Sequence, residues 1–187
     1  LAARLEDALP EQWRWLGRRV LLLDGWVVTA PDTAANQKVY PQATSQKQGA
    51  GFPQVRMVGL FSRASGLLVG VTYGPCQGKE TGEAALFREL FEQLRPGDVV
   101  VADRCYCSYF LIVLLQQRGV DVVFHLHQRR KHAFGNGQAL GDEDELVVWE
   151  KPKCPDWLDE ATYASLPPTL QVRITATRVE TPGFRTQ

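Results

Sequence analysis

The sequence is poor in cysteine and has no long apolar run. Its 187 residues include four cysteines. Only Cys105 and Cys107 lie close together, which excludes a disulfide framework and the paired spacing of a zinc site. The longest apolar runs, such as residues 110–115, are too short to span a bilayer, and no charged segment leads into an apolar one as in a signal peptide. We therefore predict a protein of the reducing cytoplasm without membrane association.

The sequence also lacks an excess of charge of either sign. Its 21 Lys and Arg residues balance 21 Asp and Glu residues, which excludes a compact, strongly basic nucleic-acid module as the whole protein. Local basic patches are compatible with this balance, and Arg129, Arg130 and Lys131 form one candidate for contacts with a phosphate backbone. A solvated turn explains the same three residues equally well.

Hydrophobic patterns predict an α/β fold. Residues 1–19 have the spacing of a short helix that Pro10 interrupts, and residues 31–54 form a long polar connection of the kind that is functional or disordered. The later strands are joined by helices and are therefore expected to be parallel. The predicted strands cover residues 20–23 (extending towards 29), 55–63, 66–74, 98–102 and 120–126, and the predicted helices cover 80–94 and 109–118.

Two aspartates directly follow apolar strands. Asp24 follows residues 20–23 and Asp103 follows residues 99–102, and such continuous apolar runs predict strands buried on both faces of a sheet. If the two strands are neighbours, the carboxylates converge at the edge where open α/β sheets bind ligands. Converging carboxylates favour a divalent cation, Mg²⁺ or Mn²⁺, and a pair of such ions is a common device for phosphoryl displacement. The alternative is that each aspartate is only a turn or helix-cap residue.

Motifs of other chemistries are missing from the sequence. It contains no P-loop, no dinucleotide-binding glycine pattern and no nucleophile elbow. His125 and His127 have no third zinc ligand placed for them, so we interpret them as part of a basic strand end. Cys105 and Cys107 have no activating base near them in the sequence and are interpreted as packing residues rather than nucleophiles.

Several short segments with a specific combined spacing extend over most of residues 20–180. They are Leu21–Gly25, Pro31-Asp32-Thr33 with Asn36-Gln37 and Tyr40-Pro41-Gln42, Gly51-Phe52-Pro53, Gly82-Glu83, Gly97-Asp98 with Ala102-Asp103-Arg104, and Gly119–Phe124. Together, though not singly, they resemble bacterial insertion-sequence transposases of the DDE type, in the insertion-sequence family numbered four.

This resemblance implies a ribonuclease H-like mixed sheet, in which three antiparallel strands are followed by parallel strands with helical crossovers. We expect residues 1–19 to be a helical lead-in, residues 20–127 the first part of the catalytic core, and residues 128–187 the start of a β-rich insertion in an incomplete chain. The first strand would carry the first catalytic acid, Asp24, and the fourth would end at the second, Asp103. The family's third acid is a Glu in a Tyr-x-x-Arg-x-x-x-Glu signature, which is absent from this sequence.

The resemblance also implies an activity, metal-dependent cleavage of DNA strands at transposon ends followed by transfer into target DNA. Asp24 would be shared by two Mg²⁺ or Mn²⁺ ions and Asp103 would hold one of them. Arg104, together with residues 129–131, would contact DNA. The expected partners are transposon-end and target DNA and a second copy of the chain in a homodimer, acting at the nucleoid in the bacterial cytoplasm.

Two departures from the family pattern leave alternatives open. Trp26 stands where a small or hydroxyl residue is usual, and His125 stands where an arginine is usual. Either departure fits a decayed copy, so a non-catalytic DNA-binding or interaction remnant is one alternative, and another ribonuclease H-like nuclease is a second. If the chain is a transposase fragment, we expect it to be inactive or nearly so by itself, because the third acid is absent.

Overall fold

The computed structural model of the chain describes residues 2–130 and 132–177. The chain forms two compact units that divide between His127 and Gln128. The first unit contains α1 (Ala2–Asp7), β1 (Val20–Thr29), α2 (Ala34–Val39), β2 (Gln54–Ser62), β3 (Leu68–Pro75), α3 (Glu83–Glu89), β4 (Val99–Ala102), α4 (Tyr109–Gln117) and β5 (Asp121–Phe124). Short 3₁₀ turns cover Glu11–Trp13, Phe91–Gln93 and Arg104–Tyr106.

The five strands of the first unit form one mixed sheet in the order β3-β2-β1-β4-β5. The β1–β2 and β2–β3 pairs are antiparallel, whereas β1–β4 and β4–β5 are parallel. The parallel pairs require crossover connections, and α3 and α4 supply them. The predicted mixed sheet, with three antiparallel strands followed by parallel ones, is confirmed.

The hydrophobic core lies on the face of the sheet that the crossover helices cover. Side chains alternate between the two faces of a strand, and register partners share a face. Leu21 of β1, Leu60 of β2 and Val100 of β4 are all completely buried on the covered face. From the helices, Phe87 of α3 and Leu111 of α4 are buried in the same way. The apolar stripe that predicted the first crossover helix therefore packs as expected.

The opposite face of the sheet is largely open to solvent. Leu22 is 41% exposed, Val71 43% and Val123 57%. The prediction that residues 20–23 are buried on both faces is therefore wrong for Leu22. No element among the described residues of the first unit lies between this face and solvent over these three side chains, so an apolar side chain that alternates outward stays accessible.

The beginning of the chain differs from the predicted single helix. Helix α1 ends at Asp7, Pro10 precedes a 3₁₀ turn, and Trp15 pairs with Arg18 in an isolated antiparallel bridge. Leu16 and Gly17 close this bridge with positive φ angles of 50° and 75°. Proline has no N–H to continue a helix, and a tight two-residue turn then reverses the chain before β1.

The first crossover helix is shorter than the predicted range of residues 80–94. It begins after Gly82, although Thr81 has the type of side chain that caps helices, and it ends at Glu89, where Leu90 leads into the 3₁₀ turn Phe91–Gln93. Thr81 instead turns its hydroxyl back to donate to the Gly78 carbonyl at 3.0 Å. The apolar repeat continues through the 3₁₀ turn, so the hydrophobic pattern alone overestimates the length of the α-helix.

The polar connection between β1 and β2 is held by glutamine side chains. The Gln42 amide donates to the Lys47 carbonyl at 2.9 Å, and its oxygen accepts from the backbone N–H groups of Gly49 and Gly51 at 3.0 and 3.2 Å. The Gln37 amide donates to the Gly51 carbonyl at 2.9 Å. These bonds satisfy backbone groups that no strand or helix pairs, which gives the segment a defined path without a core of its own.

The second unit contains β6 (Gln138–Gly141), β7 (Asp144–Glu150), α5 (Glu160–Ser165) and β8 (Thr169–Thr175). Its three strands form an antiparallel sheet in the order β6-β7-β8. Residues 178–187, at the end of the predicted insertion, lie outside the described residues. The assignments of residues 1–19 as a lead-in and of residues 128–187 as the start of an insertion stay predictions.

None of the helices in residues 2–130 and 132–177 is long and apolar enough to cross a membrane. All four cysteines are free thiols, as the sequence predicts.

Candidate active site

Asp24 and Asp103 follow directly after register partners in two adjacent parallel strands. Leu23 of β1 pairs with Ala102 of β4, and the residue that follows each of them in the sequence is an aspartate. Asp24 does not end its strand as predicted, since β1 continues to Thr29 in partnership with β2. Strand β4, however, ends at Ala102. The pair therefore lies where β4 ends and this side of β1 is left open.

Both aspartate side chains are exposed and bonded to the backbone next to them. The Gly25 N–H donates to Asp24 Oδ1 at 2.8 Å, and the Cys105 N–H donates to Asp103 Oδ1 at 2.8 Å. Asp103 thereby caps the 3₁₀ turn Arg104–Tyr106. These bonds orient two like charges at one edge of the sheet, an arrangement that attracts a cation. The cap role that the sequence left as an alternative is thus real for Asp103, alongside its place in the pair.

Trp26 and His125, the two departures from the family pattern, both lie beside this pair. The Trp26 ring is 6.0 Å from the Phe61 ring, and it lies close enough to Gly59 that a Cβ there would meet its Cη2 atom at 3.1 Å. Gly59 is the register partner of Asp24. The indole therefore packs across the open face next to Asp24. His125 follows β5, and its side chain is exposed. The backbone N–H of His125 donates to the Ala102 carbonyl at 3.1 Å.

Glu83 is a third carboxylate near the pair, and no role was predicted for it from the sequence. It begins α3, and its Oε2 accepts from the Cys105 thiol at 3.2 Å and from the Tyr106 hydroxyl at 3.3 Å. A Cβ at Gly25 would come within 2.5 Å of the Glu83 Cδ. Two features of the sequence could have drawn attention to Glu83 and Gly25 separately: Gly82-Glu83 is among the matching segments, and a glycine directly follows Asp24.

The two donors to Glu83 hold their protons at neutral pH. Burial, reinforced by hydrogen bonds to Asp103 and Glu83, raises the pKa of the Cys105 thiol well above its ordinary value. Burial and the Glu83 charge likewise raise the pKa of the Tyr106 hydroxyl. A thiol held in this state is a poor nucleophile, in agreement with the interpretation of Cys105 as a packing residue.

The donor chemistry of the pair fits a divalent cation, although the two aspartates do not complete a site. Carboxylate oxygens are the ligands that Mg²⁺ and Mn²⁺ prefer, and both side chains are accessible. Across the described parts of the chain, no three His, Cys, Asp or Glu residues are grouped so that they could hold a metal ion. A cation at this pair would need further ligands besides the two aspartates.

The basic residues predicted to contact DNA fall in different units. Arg104 follows Asp103 at the start of the 3₁₀ turn in the first unit. Arg129 is exposed in a turn at the start of the second unit, and the Arg130 guanidinium lies 3.9 Å from the centre of the Trp149 ring. Lys131 lies outside the described residues. Arg130 therefore has a structural contact within its own unit, which the sequence did not predict.

Comparisons with known proteins identify a matching family and two curated relatives. The sequence profile of a family described as transposase DDE domain matches residues 15–179. The chain is 28% identical over 133 residues to the transposase InsG for insertion sequence element IS4 of Escherichia coli (strain K12), covering 71% of this chain and 29% of that protein. It is 26% identical over 108 residues to the putative transposase InsZ of the same organism, covering 57% of this chain and 35% of that protein.

A solved structure of the piggyBac transposase synaptic complex with hairpin DNA aligns over 77% of this chain and 35% of that one, with a TM-score of 0.42 and 10% identity. The chain spans only about a third of the length of the two curated relatives, 29% of one and 35% of the other. The profile match, in contrast, covers nearly the whole chain. The chain belongs to the transposase DDE domain family.

Proposed function

We propose that this chain carries the first part of the catalytic core of a DDE transposase, which cleaves DNA strands at transposon ends and transfers them into target DNA. The observation that carries the proposal is the adjacency of Asp24 and Asp103 across the β1–β4 pair, in a chain of this family. Family membership favours transposition over an unrelated ribonuclease H-like nuclease.

The proposed roles of the two aspartates follow from their positions. When bound, a pair of Mg²⁺ or Mn²⁺ ions activates the attacking oxygen and stabilises the leaving oxygen of an in-line displacement. Asp24, at the centre of the sheet, would be a ligand of both ions, and Asp103 would be a ligand of one. Each keeps an orienting bond from a backbone N–H. The family's third carboxylate has no counterpart in this sequence, because the signature that carries it is absent.

The partners of the proposed protein are transposon-end and target DNA. Arg104 would contact a phosphate near the aspartate pair, and Arg129, Arg130 and Lys131 would contact the DNA backbone elsewhere. The protein would act as a homodimer at the nucleoid, in the cytoplasm of a bacterium. The zero net charge of the chain agrees with DNA binding through local patches rather than through the whole surface.

The aspartate pair is tested by titrating the protein with Mn²⁺ and measuring the heat of binding by calorimetry. The parent chain is compared with Asp24→Ala, with Asp103→Ala and with Asp142→Ala, which removes an exposed carboxylate from the second unit. We expect binding in the parent and in Asp142→Ala, and loss of binding in both active-site variants. Binding that survives in either active-site variant would contradict a shared site.

The DNA contacts are tested by the salt dependence of binding to a transposon-end duplex, measured by fluorescence anisotropy. Each phosphate contact contributes about 0.9 to the slope of log K against log salt. A variant with alanine at 129, 130 and 131 should reduce the slope by up to about 3 units. The matched control is Lys153→Ala, an exposed cation of the same unit. An unchanged slope in the triple variant would remove these residues from the interface.

The missing third acid predicts that the chain alone performs no strand transfer. The assay uses a labelled transposon end, a supercoiled target and Mn²⁺, because Mn²⁺ tolerates imperfect ligand sets better than Mg²⁺. Metal-dependent transfer by this chain would contradict the need for a third acid. Absence of transfer together with Mn²⁺ binding at the aspartate pair is the expected combination.

A further inference from the structure

Glu83 lies against both segments that carry the aspartates. On one side it fills the space over Gly25, the residue after Asp24, where a Cβ atom would lie 2.5 Å from the Glu83 Cδ. On the other side its Oε2 accepts hydrogen bonds from the side chains of Cys105 and Tyr106. Glu83 therefore touches β1 and the 3₁₀ turn after β4 at the same time.

We propose that Glu83 is a positioning residue for the Asp24–Asp103 pair and not a third ligand of the cation. The inference rests on the proposed function, because it assigns Glu83 a role in the same site. The turn Arg104–Tyr106 follows Asp103 directly, and its Cys105 N–H donates to the Asp103 carboxylate at 2.8 Å. By holding the side chains of Cys105 and Tyr106, Glu83 fixes the position of that N–H and so the direction of Asp103.

The faces of the sheet separate Glu83 from the two aspartates. Asp24 alternates with Leu21 and Leu23 and shares the open face with Leu22, which is 41% exposed. Glu83 lies over Gly25, on the covered face, beside the fully buried Tyr106. Its Oε2 is already occupied by two donors. This separation explains why the three carboxylates form no closed group of metal ligands among the described residues.

The glycine after Asp24 is required by this arrangement. Any side chain at residue 25 would have to displace the Glu83 carboxylate, whose Cγ, Cδ and Oε2 atoms all lie within 2.8 Å of the Cβ position. Displacing Glu83 would release Cys105 and Tyr106 and loosen the turn that orients Asp103. The contact thus couples the backbone beside the first aspartate to the direction of the second.

The test compares Mn²⁺ affinity, measured by calorimetry, in Glu83→Gln and Glu83→Ala. The glutamine variant keeps the volume and one acceptor oxygen for the two donors, whereas the alanine variant keeps neither. We expect Glu83→Ala to weaken Mn²⁺ binding about ten-fold or more, as losses of residues that orient metal ligands do. Glu83→Gln should retain affinity within a factor of about two to three.

The matched control is Glu89→Ala in the same helix. Glu89 is an exposed carboxylate that accepts from the Thr72 hydroxyl at 2.6 Å, on a strand away from the aspartate pair. The Glu89→Ala substitution should leave the Mn²⁺ affinity unchanged. If Glu83→Gln weakens binding as much as Glu83→Ala, the charge of Glu83 matters and the positioning role is overturned.

The remaining outcomes separate this inference from the proposed function. If Asp24→Ala and Asp103→Ala abolish binding while Glu83→Ala does not weaken it, the positioning role fails and the proposed function stands. If the parent chain binds no Mn²⁺, or if the aspartate variants bind it normally, both fail together.

A second approach reaches the same contact from the donor side, and its first variant leaves Glu83 in place. The double variant Cys105→Ala with Tyr106→Phe removes both donors and keeps the buried ring of residue 106. It should reproduce the weakened Mn²⁺ binding, and adding Glu83→Ala should weaken it no further, because the three side chains act as one unit. Additive losses would overturn the proposal.

Discussion

The two ends of the β1–β4 pair carry opposite electrostatic arrangements. At the amino ends, Arg19 and Asp98 precede the strands and form a buried ion pair, with side-chain exposures of 10% and 4%. The Arg19 guanidinium donates to both Asp98 carboxylate oxygens, at 2.9 and 2.5 Å, and the backbone N–H of Arg95 donates to the same carboxylate. At the other end, Asp24 and Asp103 are two exposed like charges.

The surroundings of these two pairs show which charges stabilise the fold and which do not. A buried carboxylate with three donors, including a guanidinium, has its charge balanced and its lone pairs satisfied. Two adjacent carboxylates repel each other, and this repulsion works against the stability of the fold. A local arrangement that works against stability is expected at a functional site rather than in a structural role. The carboxyl end of the pair is therefore where a ligand is expected.

Breaking the ion pair at the amino end should have the largest effect on stability. Asp98→Ala leaves the Arg19 guanidinium buried without its partner, which costs about 3–5 kcal/mol in comparable sites. The free energy of unfolding, measured by urea denaturation, should fall by about that amount. The control is Asp121→Ala, which removes an exposed partner of Arg18 and should change stability by less than about 1 kcal/mol. Equal losses in the two variants would contradict the structural role of Asp98.

Neighbouring leucines of β1 extend the comparison from the ends of the strands to the faces of the sheet. Leu21 is completely buried against the crossover helices, whereas Leu22 is 41% exposed on the open face. Leu21→Ala should lower the free energy of unfolding by about 2–5 kcal/mol, because it leaves a cavity. Leu22→Ala should lower it by less than about 1 kcal/mol. Urea denaturation of the two variants gives the comparison, and a large loss at residue 22 would show that the open face is covered in solution.

The sequence predicted the architecture and the aspartates, but not the contacts around them. Apolar runs and helical stripes have strong periodicity, so the strands and the crossover helices could be predicted from them, whereas the adjacency of β1 and β4 was implied by the family resemblance. The exposure of Leu22 could not, because a continuous apolar run looks the same whether one face or both are covered. The contact of Glu83 with Gly25 depends on how α3 lies against β1, which no local pattern encodes.

The polar connection shows a second limit of the sequence. Its proline, glycine and glutamine content predicted a functional or disordered segment, since it lacks the apolar residues of a core. The bonds made by the side chains of Gln37 and Gln42 depend on residues up to 14 positions apart. Such bonds are visible only once the path of the chain is known.

Glu145 in the second unit offers another buried carboxylate for comparison with Asp98. Burial by itself raises the pKa of Glu145, but the N–H groups of Gly135 and Gly137 and the nearby His132 outweigh it and hold the pKa below the ordinary 4.5. The Glu145 carboxylate therefore stabilises the second unit above pH 4.5, and this stabilisation is lost as the pH falls through the lower pKa that Glu145 has in the folded state.

We expect hydrogen exchange in β7, corrected for the intrinsic rate, to accelerate as the pH is lowered below about 4.5. Glu145→Gln should be less protected at neutral pH and should lose most of this pH dependence. Asp142→Asn, an exposed turn residue of the same unit, should behave like the parent. If β7 exchange in the parent is as slow below that pH as above it, Glu145 does not stabilise the unit through its charge.

The smallest expected effect is a gain in stability at the aspartate pair. Asp24→Asn keeps an acceptor for the Gly25 N–H, and Asp103→Asn keeps the cap of its turn, since Asn and Asp cap about equally well. Each variant removes one of two like charges on adjacent strands, so the free energy of unfolding should rise by about 0.2–1 kcal/mol at low salt. The gain should shrink as salt screens the repulsion. Because the same variants should abolish Mn²⁺ binding, stability and metal affinity would change in opposite directions, which a purely structural pair of caps could not produce. A loss of stability in both variants would instead mean that the carboxylates, like Asp98 at the other end, hold the fold together.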